Sequence, residues 1–368
     1  MHTVLVIGGY GFFGARIAAE LSKNPSVRVL LAGRDGDKGR RAAAALALPP
    51  EQSIELDAGS PNLAEILRSL KVDTVVHTAG PFQGQRYGVA EAAIRAGSNY
   101  LDLADGRAFV AGIVALDAQA RDRGVSVVSG ASSVPALSSA VVDQYLPAFA
   151  RLESIRIGIS SGARAPGVAT VRGVFGYCGK PIRRLERGSW TDTHGWLDLT
   201  RYRFPPPVGG RWLGSVDVPD LELFPARYPN ARTVTFHAGF ASALGHLAVW
   251  VGAGFVKAGV FASMTPLAGP LNRMSRWLEP VISDKGGMFV ELEGLDRAGQ
   301  PLTRRWHLVV QRNDGPYVPC GASVALVNKL AAGGALPKGA RPCMGLLTVE
   351  EYLVPLKSLA IQILADPA

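Results

Sequence analysis

The sequence predicts an α/β fold in which a doubly wound parallel sheet is followed by a second α+β domain. Across the first 130 residues, short apolar runs alternate with helix-like segments, whereas after Gly130 the pattern changes to one typical of antiparallel strands. The length of 368 residues suits two domains at about 100–200 residues each. Apolar residues make up 48% of the chain and charged residues 19%, which permits a sizeable core and excludes wholesale disorder.

The first domain, residues 1–130, is predicted to contain six strands, each a continuous apolar run of the kind that is buried on both faces of a sheet. These runs are Thr3–Ile7, Val27–Ala32, Ser53–Leu56, Thr74–His77, Tyr100–Leu103 and Val125–Val128. The predicted helices between them are Gly11–Leu21, Gly36–Leu46, Asn62–Leu70, Gly88–Ala96 and Phe109–Arg123. Because parallel neighbours need a long return connection, five helical crossovers predict a parallel sheet.

The second domain is predicted over residues 131–348, with a mixed or antiparallel sheet. Within it, residues 288–293 and 304–311 indicate antiparallel strands joined by a turn at Asp296–Gly299. The final segment, Val349–Leu364, is predicted to be a helix that packs back on the first domain.

A glycine-rich loop, Gly8-Gly9-Tyr10-Gly11-Phe12-Phe13-Gly14, follows the first strand directly and opens the first helix. Early glycines permit a tight turn and a close backbone approach to a pyrophosphate, and Gly14 permits close packing of the helix on the sheet. The helix N-terminus then offers free N–H groups and a partial positive charge to the phosphates. All seven residues are therefore predicted to bind a dinucleotide cofactor, and the alternative is a turn without a ligand.

The end of the second strand predicts which dinucleotide is bound, because the ribose discriminator lies about 20 residues after the loop. This region reads Gly33-Arg34-Asp35. An arginine offers a fixed charge and planar donors to a 2′-phosphate, so Arg34 favours NADP. Asp35, one position later, keeps NAD as the alternative, and Arg34 as a solvated surface residue is the simpler interpretation.

Two further strand ends are predicted to contact the cofactor. Asp57 ends the third strand, where it would either lie near an adenine ring or cap the following helix. The fourth strand ends in Ala79-Gly80-Pro81-Phe82, whose small residues would let the nicotinamide ribose lie against the backbone, with Pro81 stiffening the turn.

These segments together resemble the saccharopine dehydrogenase (NADP-binding) family, in its saccharopine-reductase-like branch. The residues that carry the resemblance are Gly8–Gly14, Ala32–Arg34, Ala79–Phe82, Glu91–Asp102 and Gly130–Pro135. The resemblance is specific over about residues 1–140. It implies a Rossmann domain, a second domain that holds the substrate and mediates dimerisation, and nicotinamide-dependent redox chemistry on imines or amino-acid adducts.

Three side chains are candidates for proton transfer or substrate binding. Asp102 and Asp105 follow the fifth strand, at the carboxyl edge where ligands collect in such sheets. Tyr87, just after the Ala79–Phe82 turn, has a hydroxyl that would donate to a substrate or cofactor oxygen. The competing interpretations are that Asp102 caps a turn, that Asp105 starts a helix, and that Tyr87 is a packing residue.

The charge is uneven, since the net +9 lies entirely after residue 150. This excess suits an anionic small-molecule substrate or, more simply, a solvated basic surface. The candidate cations are Arg164, Arg172, Lys180, Arg183, Arg184 and Arg187. No nucleic-acid recognition motif accompanies them, so no nucleic-acid partner is expected. Nor does the sequence contain a metal-binding motif, so no metal is expected.

Location is predicted from the cysteines and the N-terminus. Cys178, Cys320 and Cys343 are too few and too scattered for a disulfide framework, and no signal peptide precedes the first strand, so a cytoplasmic protein is expected. The stretch Ala238–Val256 is long enough to span a bilayer. Its glycines and the central His246 favour a core or amphipathic helix, with surface association as the alternative.

The sequence therefore predicts a homodimeric, NADP-dependent oxidoreductase, similar to saccharopine reductases, acting on a small imine, carbonyl or amino-acid-like substrate. Two alternatives stay open. One is an enoyl-thioester reductase resembling the trans-acting enoyl reductases, and the other is a protein that binds NADP as a sensor or scaffold without turnover.

Overall fold

The computed structural model describes residues 1–162, 167–278 and 282–367. In chain order, the strands of these residues are β1 (His2–Ile7), β2 (Val27–Gly33), β3 (Ser53–Glu55), β4 (Thr74–His77), β5 (Asn99–Asp102), β6 (Ser126–Ser129), β7 (Arg151–Ser160), β8 (Pro181–Glu186), β9 (Ser189–His194), β10 (Thr200–Phe204), β11 (Gly209–Ser215), β12 (Thr233–Gly239), β13 (Gly286–Leu295), β14 (Pro301–Val310), β15 (Gly339–Pro342) and β16 (Ile361–Ala365).

The α-helices of the same residues range from five to fifteen residues in length. They are α1 (Gly14–Leu21), α2 (Gly36–Ala45), α3 (Leu63–Ser69), α4 (Gly88–Ala96), α5 (Arg107–Gly112), α6 (Asp117–Asp122), α7 (Ser138–Tyr145), α8 (Val168–Tyr177), α9 (Asp220–Arg227), α10 (Ala243–Lys257), α11 (Ala268–Leu278), α12 (Gly321–Ala331) and α13 (Val349–Leu353). In the described part of the chain, no helix is both long enough and apolar enough to cross a membrane.

The chain divides into two compact units, which we call unit 1 (residues 1–137 and 317–356) and unit 2 (residues 138–316 and 357–368). This division differs from the predicted boundary, since residues 317–356 lie with the first unit.

Unit 1 contains the predicted parallel sheet, in the order β15-β6-β5-β4-β1-β2-β3. Every neighbouring pair is parallel. The central strands are fully buried, because helices cover both faces of a sheet built from βαβ crossovers. The doubly wound fold predicted from the apolar runs is thus confirmed. The order changes direction at β1, so the ends of β1 and β4 meet at the switch point where such sheets bind ligands.

A seventh strand, β15, extends this sheet and was not predicted. It pairs with β6, with Gly339 opposite Ser126. Its sequence, Gly-Ala-Arg-Pro, lacks an apolar run. A hydrogen bond to α6 fixes this strand, because the Asp117 carboxylate accepts from the Ala340 N–H at 2.9 Å.

Two predicted helices are interrupted. The segment 109–123 forms α5, a short 3₁₀ turn and α6. The segment 349–364 is helical only over α13, whose N-terminus has a capping box of Thr348 and Glu351. Its remainder contains a 3₁₀ turn and β16, which pairs antiparallel with β14 in unit 2. The prediction of one long helix was wrong because Pro355 interrupts the helix and the apolar residues of 361–364 pair with a strand edge.

Unit 2 is built on a mixed sheet whose main path is β10-β11-β12-β7-β13-β14-β16, with β8 and β9 branching from β12. Strands β12 and β7 are parallel, and the other pairs are antiparallel. The predicted hairpin is present as β13 and β14, and the Asp296 carboxylate accepts from the N–H groups of Ala298 and Gln300, each at 2.8 Å, at its turn. A cluster around Phe204, Leu213 and Phe289 forms part of the core.

Candidate dinucleotide-binding site

The glycine loop between β1 and α1 is a tight turn with no room for a side chain at Gly9 or Gly14. Gly8 has a φ of 81°, and its carbonyl accepts from the Gly11 N–H at 2.8 Å. A Cβ atom on Gly14 would collide with the Gly8 carbonyl oxygen, and one on Gly9 would lie 2.8 Å from the Val6 carbonyl oxygen. The first turn of α1 therefore packs directly on the loop backbone, which is the arrangement that presents free N–H groups to a phosphate.

Thr78, at the end of β4, fixes this loop and was missed by sequence reasoning. Its hydroxyl lies 2.9 Å from the Ile7 carbonyl oxygen and 3.2 Å from that of Gly8. A Cβ on Gly14 would come within 2.7 Å of the same hydroxyl. The available signal was a small hydroxyl residue at the end of the strand beside β1 in the sheet.

The aromatic residues of the loop bring a cation to the start of α1. The Phe12 and Phe13 rings meet edge to face, with centroids 5.0 Å apart. The Arg16 guanidinium lies 4.3 Å from the Phe12 ring centroid and 5.2 Å from that of Tyr317, and it donates to the Phe12 carbonyl. Arg16, two residues after the predicted loop, thus adds a fixed positive charge beside it.

At the end of β2, the two residues that could distinguish NADP from NAD, Arg34 and Asp35, differ in their contacts. The Asp35 carboxylate caps α2, accepting from the Lys38 N–H at 3.0 Å and pairing with the Lys38 Nζ at 3.0 Å. The bond from the Lys38 N–H lowers the pKa of Asp35. Arg34 is exposed, and among the described residues its side chain has no hydrogen-bond or ion-pair partner. The carboxylate is therefore used by its own helix, and the guanidinium is available.

Tyr10 covers the end of β2. Its hydroxyl accepts from the Asp35 N–H at 2.7 Å. A Cβ on Gly33 would collide with the Tyr10 ring, so the glycine at this position is required by packing within the loop. The structure thus brings Tyr10 and Gly33 together, next to Arg34.

The remaining predicted cofactor residues lie at the ends of β3 and β4. Asp57 is exposed and accepts from the Gly59 N–H at 3.0 Å, which makes it the cap of a turn. In the Ala79–Phe82 turn, the Gln85 side-chain amide donates to the Ala79 carbonyl at 2.9 Å and to the Pro81 carbonyl at 2.6 Å. Gly80 is partly exposed and Phe82 is buried. Gln85 holds this turn and was not predicted.

Asp102 is fully buried, with 0% of its surface exposed. Its Oδ1 accepts from the Gly130 N–H at 2.8 Å, the Ala104 N–H at 2.9 Å and the Ser129 hydroxyl at 3.0 Å. Burial raises the pKa of Asp102 to about 6, against the opposing effect of these donors. The side chain joins the end of β5 to the end of β6, so its contacts are those of a residue that positions both loops.

Asp105 and Tyr87 occupy different surroundings. The Asp105 carboxylate accepts from the Gln83 side-chain amide at 3.2 Å, which links it to the residue after the Ala79–Phe82 turn. Burial raises the pKa of Asp105, and its side chain keeps some exposure. The Tyr87 hydroxyl donates to the Phe109 carbonyl at 2.8 Å, and burial raises its pKa. The hydroxyl of Tyr87 is thus already used within the fold.

The basic candidates of unit 2 are only partly free. Arg184 pairs with Asp198 at 2.6 Å and with Glu186 at 3.0 Å, so its charge is neutralised within the fold. Arg183 lies over the Trp190 ring, 4.7 Å from its centroid. The exposed candidates are Arg172, Lys180, Arg183 and Arg187, and Arg164 lies outside the described residues. Among the described residues, no group of three or more His, Cys, Asp or Glu side chains is arranged to hold a metal ion.

The geometry of unit 1 defines a Rossmann-type dinucleotide-binding domain. Residues 4–128 match the family described as saccharopine dehydrogenase NADP binding domain. This match lies within unit 1 and agrees with the family resemblance found in the sequence.

Comparison with solved structures relates the fold of the whole chain to known proteins. The structure is similar to saccharopine dehydrogenase (L-Glu forming) from Saccharomyces cerevisiae, with a TM-score of 0.69 and 14% identity over 100% of both chains. It is also similar to an amine dehydrogenase from Mycobacterium smegmatis, with a TM-score of 0.50 and 13% identity over 95% of both chains. At these identities the similarity shows a shared fold. No curated protein sequence matches the chain.

We expect Gly14→Ala to abolish dinucleotide binding, because the added methyl group would displace the Gly8 carbonyl or push α1 away from the sheet. Gly88→Ala is the matched control, since it also lies at the first position of a helix and has open space around its Cα. Isothermal titration with NADPH should show at least about tenfold weaker binding for Gly14→Ala and no change for Gly88→Ala. Equal affinities would contradict the assigned loop.

The raised pKa of Asp102 predicts that the free energy of unfolding depends on pH. Because burial raises its folded-state pKa to about 6, above an unfolded value of about 3.9, the folded state binds the proton more tightly. Its contribution to stability is therefore largest below pH 4 and falls by about 3 kcal/mol as the pH rises through 6. Asp102→Asn removes this titration, so the stability of the wild type relative to the variant should fall over that interval in urea unfolding.

Asp117→Asn is the control of opposite sign, because Arg121 lowers the pKa of Asp117. The Asp117 carboxylate stabilises the folded state above its unfolded-state pKa, and this stabilisation is lost as the pH falls. If the wild type and Asp102→Asn differ in stability by the same amount at pH 4 and pH 7, the buried carboxylate does not titrate as described.

Proposed function

We propose that the protein is an NADP-dependent oxidoreductase that transfers a hydride to or from a small imine, carbonyl or amino-acid-like substrate. The observation that carries the proposal is the glycine loop at the switch point, where Gly14 packs against the Gly8 carbonyl and the Thr78 hydroxyl and so brings the N-terminus of α1 close to the end of β1. The residues present fit the cofactor, because the N-terminus of α1 and the Arg16 charge lie at this glycine loop.

The preference for NADP over NAD rests on the end of β2. The exposed Arg34 guanidinium is free to pair with a 2′-phosphate. The Asp35 carboxylate caps α2 and pairs with Lys38, so part of its acceptor capacity is already used within its own helix. Both observations favour the phosphorylated dinucleotide.

The proton-transfer role is assigned to Asp105. When bound, NADPH supplies a hydride to an electrophilic carbon of the substrate. The substrate nitrogen or oxygen must then gain a proton, and burial raises the pKa of the Asp105 carboxyl, which favours its protonated form. Asp105 has such a pKa and is partly exposed, whereas Asp102 is sealed from solvent and the Tyr87 hydroxyl donates to a main-chain carbonyl. We therefore propose that Asp102 and Tyr87 position the loops of the site.

The substrate class is tested by following NADPH oxidation with two substrate sets. We expect turnover with imines formed from amines or amino acids and 2-oxo acids. Turnover only with enoyl thioesters would identify an enoyl reductase, and NADPH binding without any reaction would favour a sensor or scaffold.

Asp105→Asn should lower kcat by about 100-fold or more with little change in NADPH affinity, whereas Tyr87→Phe should retain most of the activity. Equal loss in both variants would contradict the role of Asp105.

Arg34→Ala is expected to weaken NADPH binding by about 10–100-fold while leaving NADH binding unchanged, because a charged hydrogen bond to the 2′-phosphate contributes about 1.5–3 kcal/mol. Arg41→Ala is the matched control, since Arg41 is an exposed arginine on α2. Titration calorimetry with both nucleotides measures the two affinities. An unchanged ratio of NADPH to NADH affinity in Arg34→Ala would show that this arginine does not discriminate.

A further inference from the structure

The helix α10 in unit 2 is apolar on all sides but buries only one of them. His246, Val249 and Ala253 form its buried stripe. The residues Leu244, Ala248, Val251 and Phe255, at spacings of three and four, form a second apolar stripe that is exposed. A helix that is hydrophobic all round is normally buried all round, so the exposed stripe of α10 is suited to a surface that covers it.

The chain that follows continues this exposed apolar surface. The Phe261 ring folds back on Phe255, with centroids 5.8 Å apart, and both are about half exposed. The Met264 side chain packs against α10 at Gly252, where a Cβ would lie 2.6 Å from its methyl carbon. The turn is thereby held against the helix, and α11 begins four residues after Met264.

Most of the exposed large apolar side chains of the described chain lie in this one segment. We call residues 244–277 the α10–α11 segment. Its members are Leu244, Trp250, Val251, Phe255, Val260, Phe261, Leu267, Met274 and Trp277, and Leu244 and Trp277 are 82% and 83% exposed. Five other such residues are spread over the rest of the described chain. A surface of this kind marks an interaction site rather than scattered exposure.

The charge around the segment decides between possible partners. The α10–α11 segment contains three Lys and Arg residues and no Asp or Glu. Among them, Lys257 ends α10 and is exposed, and Arg273 lies on α11. Against a second copy of the same face, these cations would meet cations, which is unfavourable. Against a layer of anionic headgroups, they would be paired while the apolar side chains enter the acyl boundary.

We propose that the α10–α11 segment binds the surface of an anionic lipid bilayer, with α10 lying in the interface. Its exposed tryptophans have the amphipathic rings that are enriched at headgroup depth. Because no described helix is able to span a bilayer, the attachment is peripheral. The proposal is independent of the redox chemistry, since the segment belongs to unit 2 and contains none of the proposed cofactor or proton-transfer residues.

The test is flotation of the full-length protein with two kinds of vesicle. We expect binding to mixed phosphatidylcholine–phosphatidylglycerol vesicles and much weaker binding to pure phosphatidylcholine. Lys257→Gln should lower the partition onto anionic vesicles about fivefold, in line with about 1 kcal/mol per basic residue. Raising the salt concentration should weaken this binding as well, because exposed charges are screened.

Val260→Glu and Val114→Glu form a matched pair, since both valines are exposed and only Val260 lies in the segment. Val260→Glu should lower vesicle binding by at least about tenfold, and Val114→Glu should bind as the wild type does. Retained NADPH binding and an unchanged melting temperature show that each variant is folded.

Three results would overturn the proposal. One is the absence of binding to anionic vesicles at low salt, and another is equal binding to both kinds of vesicle. The third is a dimer in sedimentation analysis that Val260→Glu dissociates, because a second copy would then cover the segment.

Discussion

The structure of unit 1 depends on one close approach, that of the start of α1 to the loop that follows β1. At Gly14 the helix backbone packs on the Gly8 carbonyl, and the Thr78 hydroxyl from β4 joins both. Any side chain at this position would separate helix and sheet. The same absence of side chains leaves main-chain N–H groups and the helix dipole facing the switch point of the sheet, so the packing requirement and the binding capacity have one origin.

The carboxylates at the end of β5 illustrate how burial divides similar residues into different roles. Asp102 and Asp105 are three residues apart, yet one is sealed among three donors and the other retains exposure beside Gln83. A carboxylate that accepts from the backbone of two loops defines the shape of the edge. A carboxyl with solvent access and a raised pKa has the properties that proton transfer needs. The site we propose requires both.

Unit 2 combines a well-packed sheet with a helical segment whose apolar residues are not covered by the chain itself. Its sheet buries Phe204, Phe289 and Trp306, as a core should. The α10–α11 segment instead exposes aromatic and aliphatic side chains in a region free of acidic residues. Arg184, one of the cations considered for an anionic substrate, is paired with Asp198 within the fold.

Sequence patterns alone predict the first six strands of unit 1, most of the helices between them and the glycine loop. These features arise from local causes: continuous apolar runs, helical periodicity and the backbone freedom of glycine at Gly8. The hairpin of β13 and β14 was accessible for the same reason, because alternation and turn chemistry at Asp296 are local.

The two strands β15 and β16 and the roles of several site residues depend on contacts that exist only in the folded chain. The Gly-Ala-Arg-Pro strand β15 is recruited by the edge of β6 and by Asp117, and β16 is recruited by β14. The roles of Thr78 and Asp102 depend on partners far away in the sequence and, for Asp102, on burial. Strand pairing depends on which strand lies alongside, and the pKa of a carboxylate depends on how far solvent is excluded from it. A sequence pattern does not contain either piece of information.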